Sequence, residues 1–242
     1  MAMATIAKTF MTYKGKFIVI DGTDGSGKTT QIKLLEERLK FMGYDVAMAD
    51  FPQYGQKSAG VIEEYLSGKY GQAEEVGPYR ASIFYAIDRF DASFKIRKWL
   101  EEGKIVLSNR YVSANMAHQG GKINNSIERK IYFNWLHDLE YNIFGIPRPD
   151  SVLILHVPAE VSQKLTQNQD AIDRKPEYTK EGKDIHENNL EHLKNAEEVY
   201  LEICELFSNF DLIECTRNNE IMTREEIHEE IWQNVDKIIK KV

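Results

Sequence analysis

The sequence predicts an α/β protein built on a five-stranded parallel sheet with helices on both faces. Three observations carry that prediction. Short apolar runs alternate with longer amphipathic segments after Gly15, glycine and proline punctuate the joints, and a glycine-rich loop joins the first apolar run to the first amphipathic one. Lys16–Asp21 reads as a buried strand, followed by a helix from Lys28 to Met42 with Ile32, Leu35 and Leu39 on one face and Gly43 as its C-cap. Asp45–Phe51 is the second strand. A long helix spans Tyr79–Glu102, with Pro78 at its start and Gly103 at its exit, and Ile105–Ser108 is the third strand. A further helical stretch covers Asn125–Phe144. Ser151–Val157, after Pro147 and Pro149, is the fourth strand, and Leu212-Ile213 sits in a weaker fifth. Asn168–Asp184 breaks the rhythm, being polar with little to bury, and is expected to form a surface lid.

At 242 residues the chain can hold one large domain with a full core. We place that domain at residues 16–242, with residues 1–15 as an N-terminal extension. With 42% hydrophobic and 29% charged residues and a net charge of −7, the chain reads as globular and as a poor general binder of nucleic acid, whose backbone attracts clustered Lys and Arg. Cys204 and Cys215 cannot build a disulfide framework and have no metal-ligand spacing. No stretch approaches the ~20 apolar residues of a membrane span, and a cytoplasmic, membrane-free protein is expected.

Gly22-Thr23-Asp24-Gly25-Ser26-Gly27-Lys28-Thr29 fits the pattern G-x-x-x-x-G-K-[ST], set between a strand and a helix. The glycines permit turns that aim successive backbone N–H groups inward, and the helix N-terminus adds its positive dipole end for phosphate. Lys28 is placed to reach the β- and γ-phosphates, and the Thr29 hydroxyl to ligate Mg²⁺. The motif says nucleotide without saying which reaction. There is no Asn-Lys-x-Asp segment for guanine, and the third strand ends in Ser108-Asn109-Arg110-Tyr111 rather than in a purely acidic signal, which disfavours a GTPase or a motor. Phosphoryl transfer to a small molecule needs a second anion site opposite the loop, and Arg89 and Arg110 are the candidates. A catalytically silent nucleotide-binding protein remains an alternative that an intact Lys28, Thr29 and Arg110 disfavour.

Gly22–Thr30, Phe51-Pro52-Gln53-Tyr54-Gly55, Phe84-Tyr85-Ala86-Ile87-Asp88-Arg89 and Asn109-Arg110-Tyr111 through Gln119 together resemble thymidylate kinases in order and spacing, over about Lys16 to Leu206. The resemblance implies a three-layer P-loop kinase fold with a short lid, the reaction of dTMP with ATP and Mg²⁺, and a homodimer formed through the long helix. It places Asp24 beside the reacting phosphates and the sugar 3′-hydroxyl, and Arg110 on the acceptor phosphate. Arg89 and Tyr85 match the pair that bonds the thymine edge and stacks on its face. Asn115 and Gln119 fall where polar groups read the base, and His118 where an aromatic crowds the sugar 2′ position. Phe51 would pack on the sugar, Tyr54 would touch the acceptor phosphate, and Tyr111 would line the same pocket. Another nucleoside-monophosphate or deoxynucleoside kinase would share this mechanism with a different base.

The chain departs from the family pattern at three places. Asn109 stands where many members have Asp near Mg²⁺, so the metal is expected to lean on Asp24 and Thr29 as well. Tyr54 stands where some members carry Arg. Gly25 stands where some insert a loop arginine, so Arg174 of the lid is the expected charge-neutralising finger, and Asp184 is expected near the sugar or the metal.

Overall fold

The computed structural model describes residues 13–168, 190–218 and 220–240. Its centre is a parallel sheet of five strands, β1 (Lys16–Gly22), β2 (Val46–Asp50), β3 (Ile105–Asn109), β4 (Ser151–His156) and β5 (Phe210–Glu214), in the order β2-β3-β1-β4-β5. β1 lies in the middle, with Val19 opposite Ser108 of β3 and Val152 of β4. Side chains alternate across a strand, so successive β1 residues serve different cores. Phe17 and Val19 join Ile96 and Leu100 of α3 (Ala73–Glu101) and Val199 and Ile203 of α7 (Leu190–Leu206) on one face. Ile18 and Ile20 join Ile32, Leu35 and Leu39 of α1 (Lys28–Phe41) on the other. The partner there is α8 (Arg224–Ile239), whose Ile227, Ile231, Val235 and Ile239 recur every four residues.

The remaining helices are α2 (Gly60–Leu66), α4 (Val112–Gly120), α5 (Ser126–His137) and α6 (Ala159–Asn168). A small antiparallel hairpin, β6 (Thr216–Arg217) with β7 (Glu220–Ile221), leads into α8. The expected sheet is present. α3 is two helical segments joined at a kink: a short turn over 73–76, then Gly77 (φ 75°, ψ 164°) outside the helical region, then the expected long helix with Pro78 at its entrance, where a first-turn N–H has no intrahelical partner to lose. The stretch from Asn125 differs from expectation, because α5 ends at His137 and a π-helical turn follows over Asp138–Ile143. Cys204 and Cys215 are free, and burial pushes both thiols up to about 12.

His156, at the end of β4, joins three elements. Its Nε2 lies 3.0 Å from Glu197 Oε1 of α7 and its Nδ1 2.7 Å from Glu214 Oε2 of β5, while Glu197 also accepts the Ala159 backbone N–H at 2.8 Å. Burial opposes a charge on the imidazole, but hydrogen bonds to Glu197 and Glu214 outweigh it and raise its pKa. A raised folded-state pKa contributes stability below the unfolded value of roughly 6.5, and that stability is lost as pH rises through the folded value. His156→Gln should therefore melt well below the parent at about pH 5.5 and close most of that gap by about pH 9, read by thermal unfolding across pH.

Candidate functional site

Everything chemical gathers at the C-terminal edge of the sheet, starting where β1 runs out. Asp21 there is fully buried, and its carboxylate accepts from the Gly22 backbone N–H at 2.9 Å, the Tyr200 hydroxyl at 2.8 Å and the Ser113 hydroxyl at 2.5 Å. One group so ties the loop to α7 and α4. Gly22 follows at φ 141°, where a Cβ would sit 2.5 Å from the Leu155 carbonyl. Gly27, at φ 85° as the N-cap of α1, makes the second turn that L side chains resist. Lys28 folds back over the loop, its Nζ donating to the carbonyls of Gly22 at 3.0 Å and Thr23 at 2.8 Å. Burial, then Arg110, push its pKa down to about 8 against the pull of Asp24 and Asp21. The Thr23 and Ser26 hydroxyl oxygens are buried without a hydrogen-bond partner among the described residues. Such groups need a partner to offset desolvation, and a bound phosphate supplies one.

Facing this loop is a cleft of about 400 Å³. It is lined by Asp24, Thr29, Phe51, Tyr54, Tyr85, Arg89, Asn109, Arg110, Tyr111, Asn115, His118 and Gln119, so residues from four separate sequence motifs meet in one place. Arg174 and Asp184 lie outside the described residues. Arg110 has the one non-glycine backbone of positive φ in the cleft lining, at 62°. Strain of that kind persists where the surroundings over-determine it. Here the Arg110 N–H donates to Ile20 O at 3.0 Å and its carbonyl accepts from the Ser108 hydroxyl at 2.7 Å. Its Nη2 donates to Asp24 Oδ1 and its Nη1 meets His118 Nε2 at 2.9 Å. Desolvation would raise the Asp24 carboxyl, but Arg110, then Lys28, hold it well below the usual carboxylate range.

At the far end of the cleft Arg89 is 2% exposed, and its fork is committed: Nε and Nη2 donate to the two oxygens of fully buried Glu140 at 2.8 and 2.6 Å. The expectation that Arg89 meets a ligand is so narrowed to its remaining Nη1 edge, which also faces Tyr111 O at 3.4 Å. Tyr85 stands edge-on to Tyr65 with ring centroids 6.4 Å apart. Asn115 donates to Ser82 O at 3.2 Å, and Gln119 Oε1 accepts from Lys122 at 2.9 Å. Tyr111 lines the cleft while its ring packs edge-on against Phe17 at 5.0 Å and its hydroxyl donates to Pro147 O at 3.0 Å. It is 1% exposed and builds the wall. Phe51 is also nearly buried, at 4%, and packs on Tyr111, whereas Tyr54 is 42% exposed.

Four residues of the site carry no motif signal of their own: Asp21, Glu140, Asp50 and His192. Asp88 accepts from the Gln53 backbone N–H at 2.8 Å and the Ser58 hydroxyl at 2.6 Å, clamping the Phe51–Tyr54 loop to α3. Asp50 pairs with Asn109 across β2 and β3, and the Asn109 amide hydrogen-bonds its carboxylate. Burial raises the Asp50 pKa, against that hydrogen bond and Arg110. The site's oxygens suit a hard divalent cation: Asn109 Oδ1 is buried with no hydrogen-bond partner among the described residues, and Asp24, Asp50 and Thr29 line the same cleft. No group of three His, Cys, Asp or Glu that could hold a metal ion is found among the described residues.

Comparison with known proteins bears on this cleft. The family model described as thymidylate kinase matches residues 20–231. A probable thymidylate kinase of Thermococcus onnurineus is 31% identical over 221 residues, covering 89% of this chain and 94% of that protein. A probable thymidylate kinase of Pyrococcus abyssi is 29% identical over 219 residues, covering 90% and 94%. Among solved structures, a thymidylate kinase from Candida albicans superposes with a TM-score of 0.70 at 18% identity, covering 94% of this chain and 93% of that one, which supports the fold.

The Arg89–Glu140 pair is buried on both sides, at 2% and 0% side-chain exposure, and is costly to disturb. Removing one partner leaves a buried charge uncompensated, and Glu140→Ala should lose about 3–5 kcal/mol in urea unfolding. Replacing both by Met should recover much of that loss.

Proposed function

The chain belongs to the thymidylate kinase family, and we propose from that premise how its own residues phosphorylate dTMP to dTDP at the expense of ATP, in the supply of dTTP for DNA synthesis. The observation that carries the reading is the opposition of two anion sites, the Gly22–Thr30 loop and Arg110, across one cleft. ATP phosphates lie along the loop N–H groups, and Lys28 exchanges its bonds to Gly22 and Thr23 carbonyls for the β- and γ-phosphates. Arg110 grips the acceptor phosphate, with its guanidinium steadied by Asp24. An oxygen of the dTMP phosphate attacks the γ-phosphorus, the bond to the β–γ bridging oxygen breaks, and ADP leaves with that electron pair.

Mg²⁺ would be held by Thr29, Asp24 and Asn109, with Asp50 adding a carboxylate nearby, and would neutralise charge on the phosphates when bound. Tyr85 stacks on the thymine and the Nη1 edge of Arg89 faces its rim, with Asn115 and Gln119 completing the polar wall. Arg174 closes on the transferred phosphoryl group. Buried Lys28 needs no deprotonation for these roles, since it serves as a cation.

A homodimer is part of the proposal. On α3, Ile83, Ile87, Phe90 and Phe94 are 37–60% exposed and recur at one-face helical spacing, with Ile131 and Ile143 exposed at 58% and 67%. No helix among the described residues is long and apolar enough to cross a membrane. We assign that stripe to a second copy, and place the protein in the cytoplasm as part of the same reading.

Three measurements test the reading. A coupled ADP-release assay over dTMP, dUMP, dCMP, UMP, CMP, AMP and dGMP should show selective turnover of dTMP, and turnover of another acceptor would move the base assignment. Arg174→Ala should cut the single-turnover rate by about 10³-fold or more; a rate near the parent's would remove it from the mechanism. Phe94→Asp should convert the dimer to a monomer in light scattering.

A further inference from the structure

His192, on the first described turn of α7, lies 74 residues from His118 in sequence, yet its Nε2 is 3.3 Å from His118 Nδ1. The two rings are inclined by 26° with centroids 5.4 Å apart. His118 Nε2 in turn lies 2.9 Å from Arg110 Nη1. A guanidinium can only donate, so His118 must accept at Nε2 and carry its proton on Nδ1. That proton then points at His192, whose Nε2 must accept. The three groups so form a chain in which each hydrogen bond dictates the next, running from Arg110 to α7.

We propose that His192 is a positioning residue for Arg110: by accepting from His118 Nδ1–H it holds His118 in the tautomer that orients the guanidinium toward the acceptor phosphate. Three features make a neutral histidine suited to that place. Arg110 otherwise faces carboxylates, with Asp24 on Nη2 and Asp21 Oδ1 3.8 Å from Nη1, and a guanidinium released from His118 would settle further onto them. A neutral lone pair orients one N–H without cancelling the charge the phosphate needs. Burial and the Arg110 charge also push the His118 pKa down, so the ring keeps its acceptor. His192 is pushed down to about 4, by burial and then Lys122, so it too stays neutral near pH 7. The arrangement gives His118 a different task from crowding the sugar, the role its motif position implied.

The proposal rests on the phosphoryl-transfer reading of the cleft, and the test separates the two. In the full-length protein, long-range ¹⁵N–¹H spectra, with His118 assigned by His118→Gln, should show the pure Nδ1–H tautomer. His192→Ala should introduce the Nε2–H form. In steady-state kinetics the same variant should raise KM for the accepted monophosphate by about fivefold to tenfold, as expected for one lost hydrogen bond of about 1–1.4 kcal/mol, with KM for ATP within about twofold. His192→Gln, whose amide oxygen can accept at the same point, should restore both readings. An unchanged His118 tautomer in His192→Ala would overturn the proposal whatever the substrate proves to be. Equal rises in both KM values with a lowered melting temperature would also overturn it, by making His192 a packing residue. Absence of dTMP turnover in the parent would instead refute the assigned acceptor, and the tautomer spectra would still judge His192.

Discussion

The structure depends on one buried carboxylate at the end of its central strand. Asp21 is fully enclosed, and isolated burial of a charge costs several kcal/mol unless hydrogen bonds replace its water. Its replacements come from three directions: the loop it precedes, α4 through Ser113 and α7 through Tyr200. Desolvation so forces these elements to meet at the spot where the phosphate loop begins. Ser162 adds a fourth tie, donating to the Asp24 carbonyl from α6.

Around that anchor the site is organised as layers of constraint. Arg110 is held by main-chain bonds in a left-handed conformation, Asp24 and His118 hold its guanidinium, and His192 stands behind His118. At the other end Glu140 holds Arg89 and Asp88 holds the loop bearing Phe51 and Tyr54. The residues closest to the ligand space are thus aimed mostly by neighbours from other segments of the chain. Positioning on this scale matters for phosphoryl transfer, where catalysis is mostly geometry and charge rather than covalent chemistry by the protein.

Legibility in the sequence follows the range of the interactions. β1 and the loop after it were readable because strand, turn and helix signals there are local, as was the capping glycine at Gly43, found at φ 88° just beyond α1. α8 was not among the elements read from the sequence, although a Thr223/Glu226 capping box and an apolar residue at every fourth position mark it. The π-helical turn at Asp138–Ile143 was not readable, since it continues α5 with the same residue types and differs in which carbonyl each N–H meets. That small change of register places Glu140 under Arg89.

The sequence by itself determined the fold class and the phosphate loop, which rest on spacing within a few turns or strands, while the resemblance to thymidylate kinases implied the other motif residues that line the cleft. Only the tertiary structure decided what those residues do with their polar groups. Arg89 became half of a buried ion pair, Tyr111 became wall, and His118 became a link between Arg110 and His192. Asp50 came to stand beside Asn109 because two parallel strands set them in register. The reason is physical: a motif specifies a side chain's identity and approximate place, whereas its hydrogen-bond partner is chosen by desolvation, which acts only once distant segments have been packed together.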